Sequence, residues 1–489
     1  MHDMDSARPA PTSARTLCLR AAMRRSEIIG DEREGLPRPG AGTTEPNAGD
    51  SLPKRGGLRV FATAITRGMA AAYRDAFAGR RLAFASPAVA AVAGLILFYG
   101  AGFVVYGLPG PVHGVAILAG VVLAVLGMLA GIGIAWSRSD SATELQPADA
   151  PSTRTVDRFL LTLAVALVIV GLVAIVLYLV RIGGVPLFMS SVEQGRVEAS
   201  NRGGSALRVL SLLALPGTWL LIAVAVSSRS WRWLAASGAA VLATACLQLA
   251  TANRSNAFLV VEVSVLAGLL VWGIRRVTPR LLVGLAGIVA VVIVAAGLVG
   301  AYRFEHSPET WNNPDIKRAA EAHDYVGLTE LALRAYLIVP VQNTNLTMAA
   351  VPAHLSWRLG YTYIQPLLTT MPGHQTTFDQ DIKTALGQVY AGGGTVPSLL
   401  GESYANFGPP GWFFVPLILG FVLTWLYRCA LVRNDPAWWA LYAYAIIAVV
   451  NANLGGLSVA SVFPMIGAAI LVFAAAGLPL LRTATQRLR

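Results

Sequence analysis

A carboxylate, a phenol and an amide stand close together in Gly401-Glu402-Ser403-Tyr404-Ala405-Asn406-Phe407-Gly408, between Gly392-Gly393-Gly394 upstream and Pro409-Pro410-Gly411 downstream. Glycine lets the backbone turn sharply or approach a ligand closely, so this stretch can bring Glu402, Tyr404 and Asn406 to one place. With its pKa raised by burial, Glu402 has the chemistry of a general base that takes a proton from an attacking sugar hydroxyl. Capping the next helix or tying down an arginine explains the same residue without catalysis.

Arginines supply the complementary charge. Arg181, Arg196, Arg202 and Arg208 share one short segment, Arg254 lies in the turn Ala252-Asn253-Arg254-Ser255-Asn256, and Arg303 opens a long polar segment. Guanidinium suits bidentate phosphate binding. Arg181, Arg196, Arg202, Arg254 and Arg303 are therefore the candidate pyrophosphate ligands, with Tyr404 and Asn406 as substrate contacts. Pairing with Glu193 and Glu198, snorkelling to headgroups or, at Arg254, a plain helix cap are the structural alternatives. Glu262, inside an apolar run where an ionisable group is costly and marks a functional hypothesis, is read as pairing with an arginine of a neighbouring helix, with catalysis as the alternative. His374, Asp379 and Asp381 are candidate acceptor or base contacts, or else solvated loop. The cysteines Cys18, Cys246 and Cys429 show neither a disulfide framework nor metal-ligand spacing, and no metal or other cofactor is expected.

These groups have to be held by membrane helices. The chain is 55% apolar and 13% charged with a mean hydropathy of +0.59, displaced from soluble proteins toward a bilayer solvent. Runs long enough to cross roughly 30 Å of hydrocarbon are Phe84 to Tyr106, Val112 to Trp136, Phe159 to Val180, Val209 to Val226, Trp231 to Leu249, Ala257 to Trp272, Leu281 to Tyr302, Trp412 to Tyr427, Trp438 to Val450 and Val462 to Leu481. The fold class is an all-α polytopic integral membrane protein of about ten transmembrane helices.

A net charge of +12 could suggest nucleic acid, but the basic residues sit where a membrane protein keeps them. Arg138, Arg154, Arg229, Arg232, Arg275, Arg276, Arg280, Arg428, Arg433, Arg482, Arg487 and Arg489 all fall on one side, which the positive-inside rule makes cytoplasmic. Both termini are then cytoplasmic, and no nucleic-acid partner is expected. With no cleavable signal visible, the first span is expected to serve as the insertion signal.

Residues 1–57 read as a disordered cytoplasmic tail. Residues 58–81 read as an amphipathic helix in the cytoplasmic interface, with Phe61, Ile65, Met69, Tyr73 and Phe77 every fourth residue and arginines beside them; packing on the protein's own underside fits equally. Residues 82–489 form the transmembrane domain, with extracytoplasmic segments at 181–208 and 303–411. The second segment, placed before the last three spans, holds six Lys/Arg, nine Asp/Glu and four histidines. Loops of that length are usually functional. Within it Leu328 to Val341 looks helical, folded down on the membrane surface. Gly127 and Gly131 have the spacing of close-packed membrane helices.

Three passages carry a resemblance: Gly184 to Phe188 with Arg196 after it, the Asn253-Arg254-Ser255 turn, and above all Gly401 to Gly408 leading into a span. Over roughly residues 84–481 the chain resembles the bacterial oligosaccharide repeat-unit polymerases, the O-antigen (Wzy-type) polymerase family. Some members have loops in which an arginine is followed ten residues later by glycine, a spacing not found at Arg196, Arg254 or Arg303. The resemblance implies a GT-C-like polymerase bundle in the bacterial cytoplasmic membrane. It implies a metal-independent glycosyltransferase that polymerises polyprenyl-pyrophosphate-linked oligosaccharide units on the outer face. Membrane lipids, a flippase and a chain-length regulator are the implied partners. Transfer of finished polymer to another acceptor, as in O-antigen ligases, and transport of a lipid-linked sugar are the alternatives.

Overall fold

The structure, a computed structural model, describes residues 60, 62–67, 70, 86–107, 111–137, 158–189, 205–251, 253–273, 278–306, 313–368, 376–388 and 394–487. The chain divides into Met1–Lys54, which lies outside the described residues, and Arg55–Arg489, to which everything below refers. The tail expected over 1–57 lies outside the described residues. Within the interfacial helix expected at 58–81, the described residues 60, 62–67 and 70 are helical.

The long helices are α1 (Pro87–Tyr106), α2 (Pro111–Ser137), α3 (Arg158–Ile182), α5 (Ala214–Ser228), α6 (Trp231–Ala250), α7 (Arg254–Trp272), α8 (Pro279–His306), α10 (Tyr325–Ala350), α14 (Gly411–Arg433) and α15 (Pro436–Arg487). Shorter ones are α4 (Ser205–Ser211), α9 (Pro314–Glu321), α11 (Tyr361–Leu368), α12 (Phe378–Ala385) and α13 (Ser398–Phe407). Among the described residues there are no strands, and nine helical segments are long and apolar enough to cross a membrane. The protein is an all-α polytopic membrane protein. The tenth expected span, Val462 to Leu481, lies in the second half of α15, beyond a break at Gly456.

The bundle is centred on α5 and the first half of α15. Trp219 of α5 is fully buried and stacks on Tyr444 of α15 with ring centroids 5.0 Å apart. On the periphery, apolar side chains such as Val104, Val180 and Val291 are more than two-thirds exposed. That pattern is a liability in water and normal where the solvent is lipid. Helices α2 and α14 touch backbone to backbone: a Cβ on Gly127 or Gly131 would overlap the carbonyls of Phe413 and Leu417, and one on Gly420 would overlap that of Met128. The glycine spacing seen in the sequence is thus a packing device.

The long polar segment is more structured than its composition suggests. Its helix α10 runs well past the expected Leu328 to Val341 and packs along α1 and α8, both candidate spans. It also packs on α13, which lies against α15 and α14. Thus α10 is the strut that positions the groups described next.

Candidate functional site

Helix α13 is short and almost wholly buried, with Leu399, Leu400, Glu402, Ser403, Ala405 and Asn406 inaccessible. It opens at Ser398, whose φ of 60° is unusual for a residue with a Cβ, and ends at Gly408 in positive φ, whose N–H bonds to the Tyr404 carbonyl at 2.7 Å. Ser398 earns its strained conformation through contacts: its Oγ accepts from the Gly401 N–H at 3.2 Å and lies 2.7 Å from Thr344 Oγ1 and 3.3 Å from the Tyr99 hydroxyl. Three helices, α1, α10 and α13, are pinned there.

One turn on, Glu402 ties α13 to α11 and α15. Its Oε1 accepts from Thr362 Oγ1 at 2.8 Å, and Ser458 N–H lies 3.1 Å from both oxygens. Oε2 also accepts from the Leu457 N–H. Leu457 and Ser458 begin the second half of α15, after Gly456 at φ 74°, ψ 169°, so the carboxylate sits where a helix N-terminus favours negative charge. Glycine is required at 456 for its φ and for room, because a Cβ would come within 2.7 Å of Glu402 Oε2. Asn406 completes the arrangement. Its amide donates to Thr362 Oγ1 at 2.6 Å and to the Glu402 carbonyl at 2.9 Å, while its Oδ1 accepts from Gly360 N–H at 2.8 Å. Burial pushes the Glu402 carboxyl above the usual range, opposed by the hydrogen bonds from Ser458, Thr362 and Leu457. Tyr404 takes no part in this centre. Half-buried, it packs edge-on against Trp357 and stacks on Trp412.

A second centre forms at the other half of α10. Asn253 caps α7 by accepting from Asn256 N–H at 3.3 Å, leaving Arg254 as the first helical residue. Its guanidinium lies 4.7 Å from the centre of the Tyr336 ring of α10, in cation–π geometry. Gly300 of α8 lies beside it: a Cβ there would stand 3.4 Å from Arg254 Nη1 and would overlap the Ala332 side chain of α10 at 2.6 Å. Three residues further along α8, buried Arg303 also acts electrostatically on Tyr336. Two of the five candidate arginines, far apart in sequence, thus converge on one tyrosine. Eight residues of α10 separate Tyr336 from Thr344 of the first centre, about 12 Å at 1.5 Å per residue.

Of the other candidates, Arg181 is exposed at the end of α3, and Arg196, Arg202 and His374 lie outside the described residues. Asp381 accepts from Arg358 at 2.9 Å and Thr376 at 2.8 Å, which ties α12 to the chain ahead of α11. Asp379 stands in the first turn of α12, its carbonyl accepting from Thr395 N–H at 2.9 Å. Glu262 accepts from the Asn451 amide at 3.1 Å, so the partner holding it is an amide of α15 rather than the arginine expected. Sequence reasoning passed over Tyr336, Thr362, Ser398 and Ser458, and also a cluster at the end of α8. There Glu305 accepts from the Tyr325 hydroxyl at 2.7 Å and lies 3.1 Å from His323. The excess of histidines in the long segment was the available signal.

The sequence model of the family described as "Putative O-antigen polymerase" matches residues 94–463. No curated protein and no solved structure matches the chain.

Proposed function

Because the chain belongs to the O-antigen polymerase family, a match covering both centres and the spans around them, we propose that it polymerises oligosaccharide repeat units carried on a polyprenyl pyrophosphate, at the outer face of a bacterial cytoplasmic membrane. The observation that carries this reading is the convergence of Arg254 and Arg303 beside Tyr336. In the reaction, an acceptor sugar hydroxyl attacks the anomeric carbon of the donor. The carbon–oxygen bond to the pyrophosphate breaks, the pyrophosphate leaves with the electron pair, and the hydroxyl proton passes to Glu402 where that residue is the base, or else to the departing pyrophosphate. Fixed guanidinium groups stabilise the charge that develops there. Arg181, Arg196 and Arg202 are assigned to the same lipid pyrophosphate, Tyr404 to the substrate sugars, and His374 and Asp379 to the acceptor; Asn406 and Asp381, whose polar atoms are engaged within the chain, are assigned to holding α13 and α12 in place.

Glu402 enters the proposal in one of two roles. As general base it would take the hydroxyl proton; as a positioning group it would hold the start of the second half of α15. Its full burial and four donor contacts favour the second. Glu402→Gln separates them. A base replaced by an amide leaves a stable, inactive protein. An anchor replaced by an amide sets an N–H2 against N–H donors and lowers the Tm as well.

The deciding experiment is the polysaccharide profile of a deletion strain. The proposal expects single-repeat products to accumulate; accumulation of full-length lipid-linked polymer would instead identify a ligase. Transport is tested with purified protein in vesicles: movement of a labelled lipid-linked sugar without lengthening would contradict the proposal.

A further inference from the structure

Helix α8 makes little contact with α7, the helix before it in the chain. It lies along α10 through Gly297 and Gly300, which meet Thr329, Leu333 and Ala332 closely. The space left between α6, α7 and α8 is a groove of about 480 Å³, within the range of about 300–1,000 Å³ usual for small-molecule sites. Its walls are apolar: Leu249 from α6, Phe258 and Val261 from α7, and Ile288, Val291 and Val292 from α8. Along α8 the lining extends from Gly284 to Ala295, about 16 Å of helix.

One end of this groove is marked by charge. Its first α7 residue, Ala257, is one turn from Arg254, and Ala295 is two turns from Arg303. The two helices run antiparallel, with Gly300 of α8 beside Arg254, so both arginines stand at the same end of the groove, Arg254 over the Tyr336 ring. A ligand that suits both features has a long apolar chain ending in a compact group of more than one negative charge. A phosphodiester headgroup offers two guanidinium groups a single charge; a diphosphate offers each of them its own phosphoryl group. We propose that the α6–α7–α8 groove binds the polyisoprenoid chain of the lipid-linked substrate, with its diphosphate at Arg254 and Arg303. This inference rests on the function proposed above and adds to it the place where the lipid lies.

The groove can be blocked without disturbing the helices, because nothing lies within 4 Å of a Cβ built on Gly284 or Gly287. The test uses full-length protein in nanodiscs and a benzophenone-bearing polyprenyl diphosphate. Cross-links are expected on α7 near Phe258 and on α8 between Gly284 and Ala295. Unlabelled polyprenyl diphosphate should compete them away; excess phosphatidylethanolamine should not. Gly287→Phe should raise the KM for the lipid-linked donor about tenfold with little change in kcat, the effect of losing burial for roughly two methylene groups. Cross-links elsewhere, or equal competition by phospholipid, would overturn the groove while leaving the polymerase reading intact, provided the wild type lengthens lipid-linked units. Specific cross-linking in the groove by a wild type that lengthens nothing would uphold the groove and overturn the polymerase reading.

Discussion

The two polar centres on α10 are built on opposite principles. Around Glu402 the side chains of Thr362, Glu402 and Asn406 are fully buried and hydrogen-bonded to one another and to the start of the second half of α15. Around Arg254 the cation is only half-buried and faces the Tyr336 ring, and the buried Arg303 stands on the neighbouring helix α8. A saturated buried network fixes geometry, whereas two clustered cations at the mouth of an apolar groove favour an incoming anion. The comparison separates holding from binding within one helix bundle.

The largest expected effect lies in the holding centre. Glu402→Ala strands the N–H groups of Leu457 and Ser458, and unmatched buried donors cost about 1–3 kcal/mol each. A clear loss of Tm and of inserted protein is expected; unchanged Tm would show that the α15 break does not depend on this carboxylate. The same centre predicts a pH effect. The contacts to Glu402 select its charged form and burial raises its pKa, so activity should fall as pH drops through that raised value, above the usual carboxylate range. A pH–rate profile checks this.

In the binding centre, Arg254→Ala and Arg303→Ala should each raise the donor KM by about 10- to 100-fold, matching charge-assisted hydrogen bonds of about 1.5–3 kcal/mol. Steady-state kinetics with lipid-linked donor measure it. Tyr336 gives a smaller and sharper contrast. Tyr336→Phe keeps the ring beneath Arg254 and should be close to wild type, while Tyr336→Leu removes a cation–π contact of about 0.5–2 kcal/mol and should weaken donor binding. The smallest effect is expected at Asp381→Asn. Its partly exposed pair with Arg358 belongs to a class contributing about 0–1 kcal/mol, so the Tm should barely move.

The spans were legible because a bilayer demands long apolar runs and little else, and Phe159 to Val180 or Trp231 to Leu249 satisfy that at a glance. Helix α10 was cut short in the sequence reading because Asn343, Thr344, Asn345 and Thr347 lower its hydropathy. Those residues are polar because three of them face other helices: Thr344 meets Ser398, Asn345 meets His113 at 2.7 Å, and Thr347 lies against Gly401. At the sites, Glu402, Asn406, Arg254 and Arg303 announced themselves by residue type. Their partners did not, since Thr362 and Ser458 lie 40 and 56 residues from Glu402, and nothing local marks a hydroxyl or a backbone N–H as the one that will be met. Gly456 carries no local signal that it makes room for a carboxylate from another helix.

The central claim is that Arg254 and Arg303 together receive the lipid pyrophosphate. Its most direct test is elongation of a lipid-linked repeat unit by purified full-length protein carrying Arg254→Ala and Arg303→Ala together, with Tm measured on the same sample. The account predicts a folded protein that yields no long polymer at donor concentrations saturating the wild type. A normal polymer ladder from the double variant would contradict it.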